Sequence, residues 1–320
     1  HCVWVARGTA CRAPGGALPP RYPPAVQFVT PNVSGIQPAR PTVDFGFAQG
    51  AYMHSVLKKT GLSYEADVSA LLISLGQSYD LTVFVDVGAN ISYFPVLMGA
   101  IFGERFLMHT FEPMPMLYEM GVQGLRDNEL TATTSREALS DHVGVAEFHL
   151  SAATDSSNSL NPTFRESASV IEVDLSTLDH VFLRERRCEE TAKLAASGTN
   201  GDTGCILVID TESTEPDVLA GGDQLISTIR PHIICEVLAG RTEDRLQSFV
   251  KHHGYHAYRL SAEGLHLEDT IFGDPTYKHR DWYLAPDLVD ENLCRSYEQV
   301  LPTFMSSGGN KPWWRRLLRS

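Results

Sequence analysis

No run of apolar residues in this 320-residue sequence approaches the ~20 needed to span a bilayer, and the longest, such as Cys205 to Ile209, are strand-sized. A transmembrane body is therefore excluded. Basic residues are in deficit: 26 Lys and Arg against 39 Asp and Glu leave a formal charge of −13. Such a surface repels phosphate backbones and no local basic groove offsets it, so nucleic acid is not an expected partner. Cysteine is sparse, six residues without a CxxC pair, which excludes a disulfide-stapled miniprotein. Cys205 and Cys235 sit inside apolar runs and read as small buried thiols, consistent with a reducing, cytoplasmic setting. Because the sequence starts at His1 rather than Met, an upstream organelle-targeting leader stays open.

Acidic residues are missing from His1 to Val43, where eight prolines from Pro14 to Pro41 block regular structure. Residues 1–44 read as an extended tail. Residues 45–80 read as a helical lead-in, because Val68, Leu71, Leu72 and Leu75 recur at helical spacing. Residues 81–300 form the main domain, and 301–320, ending in the basic and aromatic run KPWWRRLLRS, a surface tail.

Within the main domain, strands alternate with helices, the pattern of a mostly parallel sheet covered on both faces. Strands are expected at Thr82–Val87, Phe106–Phe111, near Thr131–Leu139, at Cys205–Asp210, His232–Val237, Tyr255–Leu260 and Trp282–Leu284. Val145–Leu150 and Val170–Val173 suit an inserted hairpin-like pair. Helices are expected from Pro115, over Leu178–Ala195, from Pro216, and around Leu246–Val250 with Gly254 as a left-handed cap.

The first strand ends in Asp86-Val-Gly88-Ala89-Asn90. In an open α/β sheet, ligands bind beyond the carboxyl ends of the strands, and Gly88 there permits close backbone approach. A dinucleotide would need further glycines after Gly88, and Ala89 to Phe94 contains none, which counts against an NAD-dependent oxidoreductase. The P-loop pattern is absent as well. A nucleoside without a diphosphate, such as S-adenosylmethionine, suits this turn better. Glu112, at the end of the second strand, is placed to accept hydrogen bonds from two ribose hydroxyls. Ser140 and Asp141 end the next strand, with Asp141 a candidate acceptor for an adenine amino group.

The chain at this point resembles the FkbM-type S-adenosylmethionine-dependent methyltransferases. The resemblance runs from Leu81 to Pro286 through VDVGAN (85–90), FEPMP (111–115), ALSD (138–141), STLD (176–179), IDTESTEPDVLAGG (209–222), ICEV (234–237), GY (254–255) and DWYLAP (281–286). It implies a Rossmann-like class I methyltransferase with a seven-stranded sheet whose last strand is antiparallel, acting on a hydroxyl oxygen of a small molecule or sugar. Asp86, Gly88, Ala89 and Asn90 would then line the methionine end of the cofactor. Asp210, Glu212 and Glu215 would stand near the acceptor as acid–base groups, and Glu236 would contact substrate. These carboxylates are also able to hold Mg²⁺, although the resemblance does not require a metal. His252, His253 and His256 straddle a helix end and a strand start, so their side chains are expected to diverge and not to form a metal site.

Two positions depart from the family pattern. Ser92 and Ser213 stand where the family carries glycine, placing side chains where backbone would approach a ligand. They open the alternative of a catalytically silent binding protein on the same fold.

Overall fold

The computed structural model describes residues 26–33, 35–185 and 204–305. A short antiparallel pair opens it, β1 (Gln27–Val29) with β2 (Thr42–Asp44), followed by α1 (Tyr52–Thr60) and α2 (Ala66–Ser78). The alternating body continues through β3 (Val83–Val87), α3 (Tyr93–Phe102), β4 (Leu107–Phe111), α4 (Pro115–Asp127) and β5 (Ala132–Ser135). Next come β6 (Ala138–Leu139), β7 (Gly144–Ser151) and β8 (Ser167–Ser176), which form a separate small sheet in the order β6-β8-β7. The chain then builds β9 (Cys205–Ile209), α5 (Glu215–Ala220), α6 (Asp223–Ile229), β10 (His232–Glu236) and α7 (Glu243–His253). It ends in β11 (His256–Ser261), β12 (Gly264–Glu268), β13 (Asp281–Ala285) and α8 (Glu291–Met305).

The main sheet has the order β5-β4-β3-β9-β10-β13-β11-β12. Strands β3, β4, β5, β9 and β10 pair in parallel, while β13 is antiparallel to both β10 and β11. This is the expected Rossmann-like α/β architecture with one strand more than expected. The eighth strand, β12, turns back at Gly264 to pair with β11 along the sheet edge; its short, mostly half-exposed sequence carries little apolar signal.

Period-two alternation sorts the strands between two cores. Phe84, Ile206, Val208, Ile234 and Tyr283 face the side covered by α2, α3 and α8. Val85, Val87, Leu207, Ile209, Cys235 and Trp282 face the side covered by α5, α6 and α7. Burial on both faces explains why β9 and β10 read as unbroken apolar runs. The chain leaves β3 toward β4 and β5, then returns to β9 on β3's other flank. That reversal of direction makes the carboxyl ends of β3 and β9 the switch point, the place where an open sheet gapes.

Several boundaries differ from expectation. Residues 26–33 and 35–44 are not a free tail: Val33 and Val43 are buried, and Ala39 and Arg40 donate backbone hydrogen bonds to Ile101 and Ala100. Positions 301–305 continue α8, where Pro302 is tolerated and Leu301 and Phe304 are buried. The third expected strand splits, β5 joining the main sheet and β6 the small one. The helix expected over Leu178–Ala195 shows a single wide turn, His180–Arg184. Positions 186–195 of that helix, residues 1–25 of the N-terminal tail and the KPWWRRLLRS run lie outside the described residues.

Candidate active site

A cavity of about 400 Å³ opens at the carboxyl ends of β3, β4 and β9, a volume in the range of small-ligand sites. Its wall includes Asp86, Gly88, Ala89, Asn90, Glu112, Asp210 and Glu212, so seven of the residues expected from sequence meet around one hollow. Tyr64, Glu137 and Arg280 join them.

The turn after β3 is shaped by its neighbour across the sheet. Gly88 has φ +83°, and a Cβ there would lie 1.8 Å from the carbonyl oxygen of Asp210. Glycine is demanded by this contact between two strand ends, a stronger constraint than the expected approach of a ligand. Asn90 and Ser92 follow in left-handed conformations, φ +50° and +59°, and Glu212 and Ser213 do the same beyond β9, φ +55° and +86°. Four non-glycine residues with positive φ concentrate strain at the two loops of the switch point.

Neither unusual serine enters the cavity wall. Ser92 is buried with its Oγ toward α4, where only a glycine fits: a Cβ on Gly121 would lie 2.6 Å from that oxygen. The Ser213 hydroxyl accepts a hydrogen bond from Asn161 Nδ2 at 2.9 Å.

Glu112 is 7% exposed and both its oxygens are used by backbone: Asn90 N–H donates to Oε2 and Met114 N–H to Oε1, each at 2.8 Å. Its carboxylate thus ties the β3 turn to the β4 turn. Burial raises its pKa to about 7 against the opposing pull of those two donors.

Beyond β9 the pattern changes. Glu215 is fully buried at the start of α5, and its Oε1 accepts from Thr211 N, Thr211 Oγ1 and Ser213 N at 3.0–3.1 Å. It braces the loop that carries Asp210 and Glu212 but is not part of the cavity wall. Burial raises Glu215 to about 7 and Glu212 to about 8, and it also pushes Asp210 upward. Glu236, at the end of β10, is likewise behind the wall, 2% exposed and well above the usual carboxylate range through burial and the neighbouring Asp210 charge.

Strand periodicity explains why these acids converge. Asp86 follows Phe84, Glu236 follows Ile234, and Asp281 precedes Tyr283 at spacings of two, so all point to the face covered by α2 and α3. The counter-charge is Arg280, whose Nη2 lies 2.9 Å from Glu65 Oε1 and whose Nη1 lies 2.9 Å from Glu236 Oε1. Sequence reading missed Glu65, Tyr64 and Arg280. Arg280 had one signal, its position directly before the DWYLAP strand; Glu65, in the turn before α2, had none.

Ser140 and Asp141 are not in the wall, because β6 turns away into the small sheet and Asp141 Oδ1 pairs with His142 Nδ1 at 2.6 Å on the surface. Glu137, Ala138 and Leu139 occupy that end of the cavity. His252 and His253 do not diverge as expected: their rings lie 4.8 Å apart, and His253 Nε2 is 3.2 Å from Asp223 Oδ1. Among the described residues no helix is long and apolar enough to cross a membrane.

A model of the methyltransferase FkbM domain matches residues 86–257, more than half of the chain. No curated protein matches it. Similar solved structures include methyltransferase FkbM from Methylobacillus flagellatus KT, at 13% identity over 72% of this chain and 57% of that one, with a TM-score of 0.41. The N-terminal domain of human METTL16 in complex with SAH is similar at 10% identity, covering 68% and 67%, TM-score 0.34. Fibrillarin from Aeropyrum pernix with natively bound S-adenosyl-L-methionine follows at 11% identity, covering 82% and 88%, TM-score 0.34. The chain spans little more than half the length of the Methylobacillus structure.

Proposed function

Because the chain belongs to the FkbM methyltransferase family, we propose that it is an S-adenosylmethionine-dependent enzyme that methylates a hydroxyl oxygen on a small molecule or carbohydrate. The observation that carries this reading is the single cavity at the switch point, bordered both by the Asp86–Asn90 turn with Glu112 and by Asp210 with Glu212.

The residues fit the cofactor. Glu112 is fixed by two backbone donors, and each carboxylate oxygen retains a lone pair for a ribose hydroxyl. Asp86 is 2% exposed, and its Oδ2 has no hydrogen-bond partner among the described residues, which suits a cationic amino-acid moiety. Glu137, rather than Asp141, is the acid at the adenine end. Bound here, S-adenosylmethionine supplies a methyl group on an electron-poor sulfur.

The chain's own part is alignment and proton removal. Asp210 and Glu212 face the acceptor end, and burial makes Glu212 a stronger base than an exposed glutamate. Glu215 acts one step back, holding the loop from which both project. Mg²⁺ is permitted by this chemistry but not required. The two serines that favour a silent descendant stay out of the cavity wall, which removes the main objection to turnover.

The test is a calorimetric titration with S-adenosylhomocysteine and S-adenosylmethionine, followed by release of S-adenosylhomocysteine across a panel of hydroxylated acceptors. Binding with turnover on at least one acceptor is expected. Binding of neither adenosyl compound contradicts the proposal, and binding without turnover across the panel favours the silent alternative.

A further inference from the structure

Behind the cavity wall, Asp210, Glu215 and Glu236 form a compact group in which one carboxylate oxygen from each residue lies within 4.8 Å of the other two. They come from separate pieces of chain: the loop after β9, the first turn of α5 and the end of β10. Glu215 and Glu236 are 0% and 2% exposed. Four of their six oxygens have no hydrogen-bond partner among the described residues, both of Glu236 included. Glu215 spends Oε1 on the Thr211–Ser213 loop, but its Oε2, Asp210 Oδ1 and Glu236 Oε2 find no hydrogen-bond partner among the described residues.

Removing a carboxylate from water without a compensating partner is costly, and gathering three such groups adds mutual repulsion. Arg280 is the basic side chain that reaches them among the described residues. It contacts Glu236 Oε1 at 2.9 Å without hydrogen-bond alignment and is shared with Glu65. Asp86, Glu212 and Asp281 add further buried carboxyl groups from the surrounding strand ends, each under the influence of Asp210. One guanidinium does not balance this set.

We propose that Asp210, Glu215 and Glu236 bind a hard divalent cation of the size of Mn²⁺ or Ca²⁺. An all-oxygen, all-carboxylate donor set selects such ions over those that favour sulfur or imidazole. Three carboxylate oxygens gathered within 4.8 Å of one another leave room for one such ion at bond lengths of ~2.0–2.6 Å. Asp210 belongs to both the trio and the cavity wall, so ion binding is coupled to the site where the acceptor would sit.

The experiment uses the full chain stripped with EDTA and needs no adenosyl compound, so its result is independent of the methyltransferase reading. Mn²⁺ is titrated while its free signal is followed by electron paramagnetic resonance, and Ca²⁺ by calorimetry and thermal melting. One ion per chain and a rise in melting temperature are expected. Glu215→Gln and Glu236→Gln, which keep side-chain shape and an acceptor oxygen, should each weaken binding at least tenfold and abolish the rise. If either variant fails to fold, Asp210→Asn and the wild-type melting shift with Ca²⁺ against an equal ionic strength of NaCl decide. No withdrawal of free Mn²⁺ by the wild type, or no shift beyond the NaCl control, overturns the proposal. So does binding that persists in these variants but is lost in His253→Ala, which would assign the ion to the Asp223, His252 and His253 cluster instead.

Discussion

At the end of β4, Glu112 has each oxygen held by a backbone N–H, while across the cavity Asp210 and Glu236 leave oxygens without a hydrogen-bond partner. Both regions bury carboxylates, and in both burial drives the pKa upward. The difference lies in what satisfies them. Glu112 is completed by its own chain, which suits a group that must present fixed lone pairs to one kind of ligand. Among the described residues, the β9–β10 end has only Arg280 to set against several carboxyl groups, which suits a region that meets cations or developing charge. Preorganisation on one side and unspent polarity on the other is the division expected of a site that holds a cofactor at one end and does chemistry at the other.

The contact that joins the two halves gives the largest expected effect. Gly88→Ala places a Cβ against the Asp210 carbonyl and adds strain at φ +83°. Destabilisation of about 4 kcal/mol or loss of soluble protein is expected in denaturant melts. A mild effect would mean that the strand ends are not so closely coupled.

Arg280→Leu tests the charged half alone. It removes the partner of both Glu65 and Glu236 and should cost about 3 kcal/mol. The same substitution should leave the Glu112 hydrogen bonds intact.

A pH series probes both halves together. Glu112 and Glu65 each move from about 4.5 when unfolded to about 7 when folded, with burial the leading cause. Below pH 4.5 both states keep these protons and there is no penalty. Between 4.5 and 7 the unfolded chain releases protons that the folded chain retains, so stability falls as pH rises, then levels off. In EDTA, the melting temperature should be higher at pH 5 than at pH 8 by on the order of 5 °C. The opposite slope would mean that these carboxylates are ionised and compensated in the folded state.

The smallest effects are expected from the serines. Ser92→Gly and Ser213→Gly should change the affinity for S-adenosylhomocysteine by no more than about twofold, since neither lines the cavity. A tenfold gain would show that their side chains intrude.

Residues that end buried strands were legible in the sequence. Asp86, Glu112 and Asp210 each close an apolar run, and strand geometry carries such residues to the carboxyl edge where loops diverge. Gly254 was legible as a helix stop because its left-handed conformation, φ +64°, is one that glycine tolerates. What escaped depends on contacts between distant segments. Glu65 reaches the site only because α2 packs over the β3–β9 face, and Arg280 only because β13 inserts beside β10. Asp141 looked like a strand-end acid, but β6 leaves the main sheet one turn earlier, and no local pattern marks that departure. Glu215 had the right composition for acid–base work; its three hydrogen bonds to the preceding loop, which make it a brace, appear only in three dimensions.

The division of labour between the two halves is tested most directly by calorimetric titration of S-adenosylhomocysteine into the wild type and Glu112→Ala. The wild type should bind one equivalent, and the variant, with its fold retained by circular dichroism, should bind about 10- to 100-fold more weakly through loss of hydrogen bonds to a charged acceptor. Equal affinity in the two proteins, or no heat with either, would contradict the account.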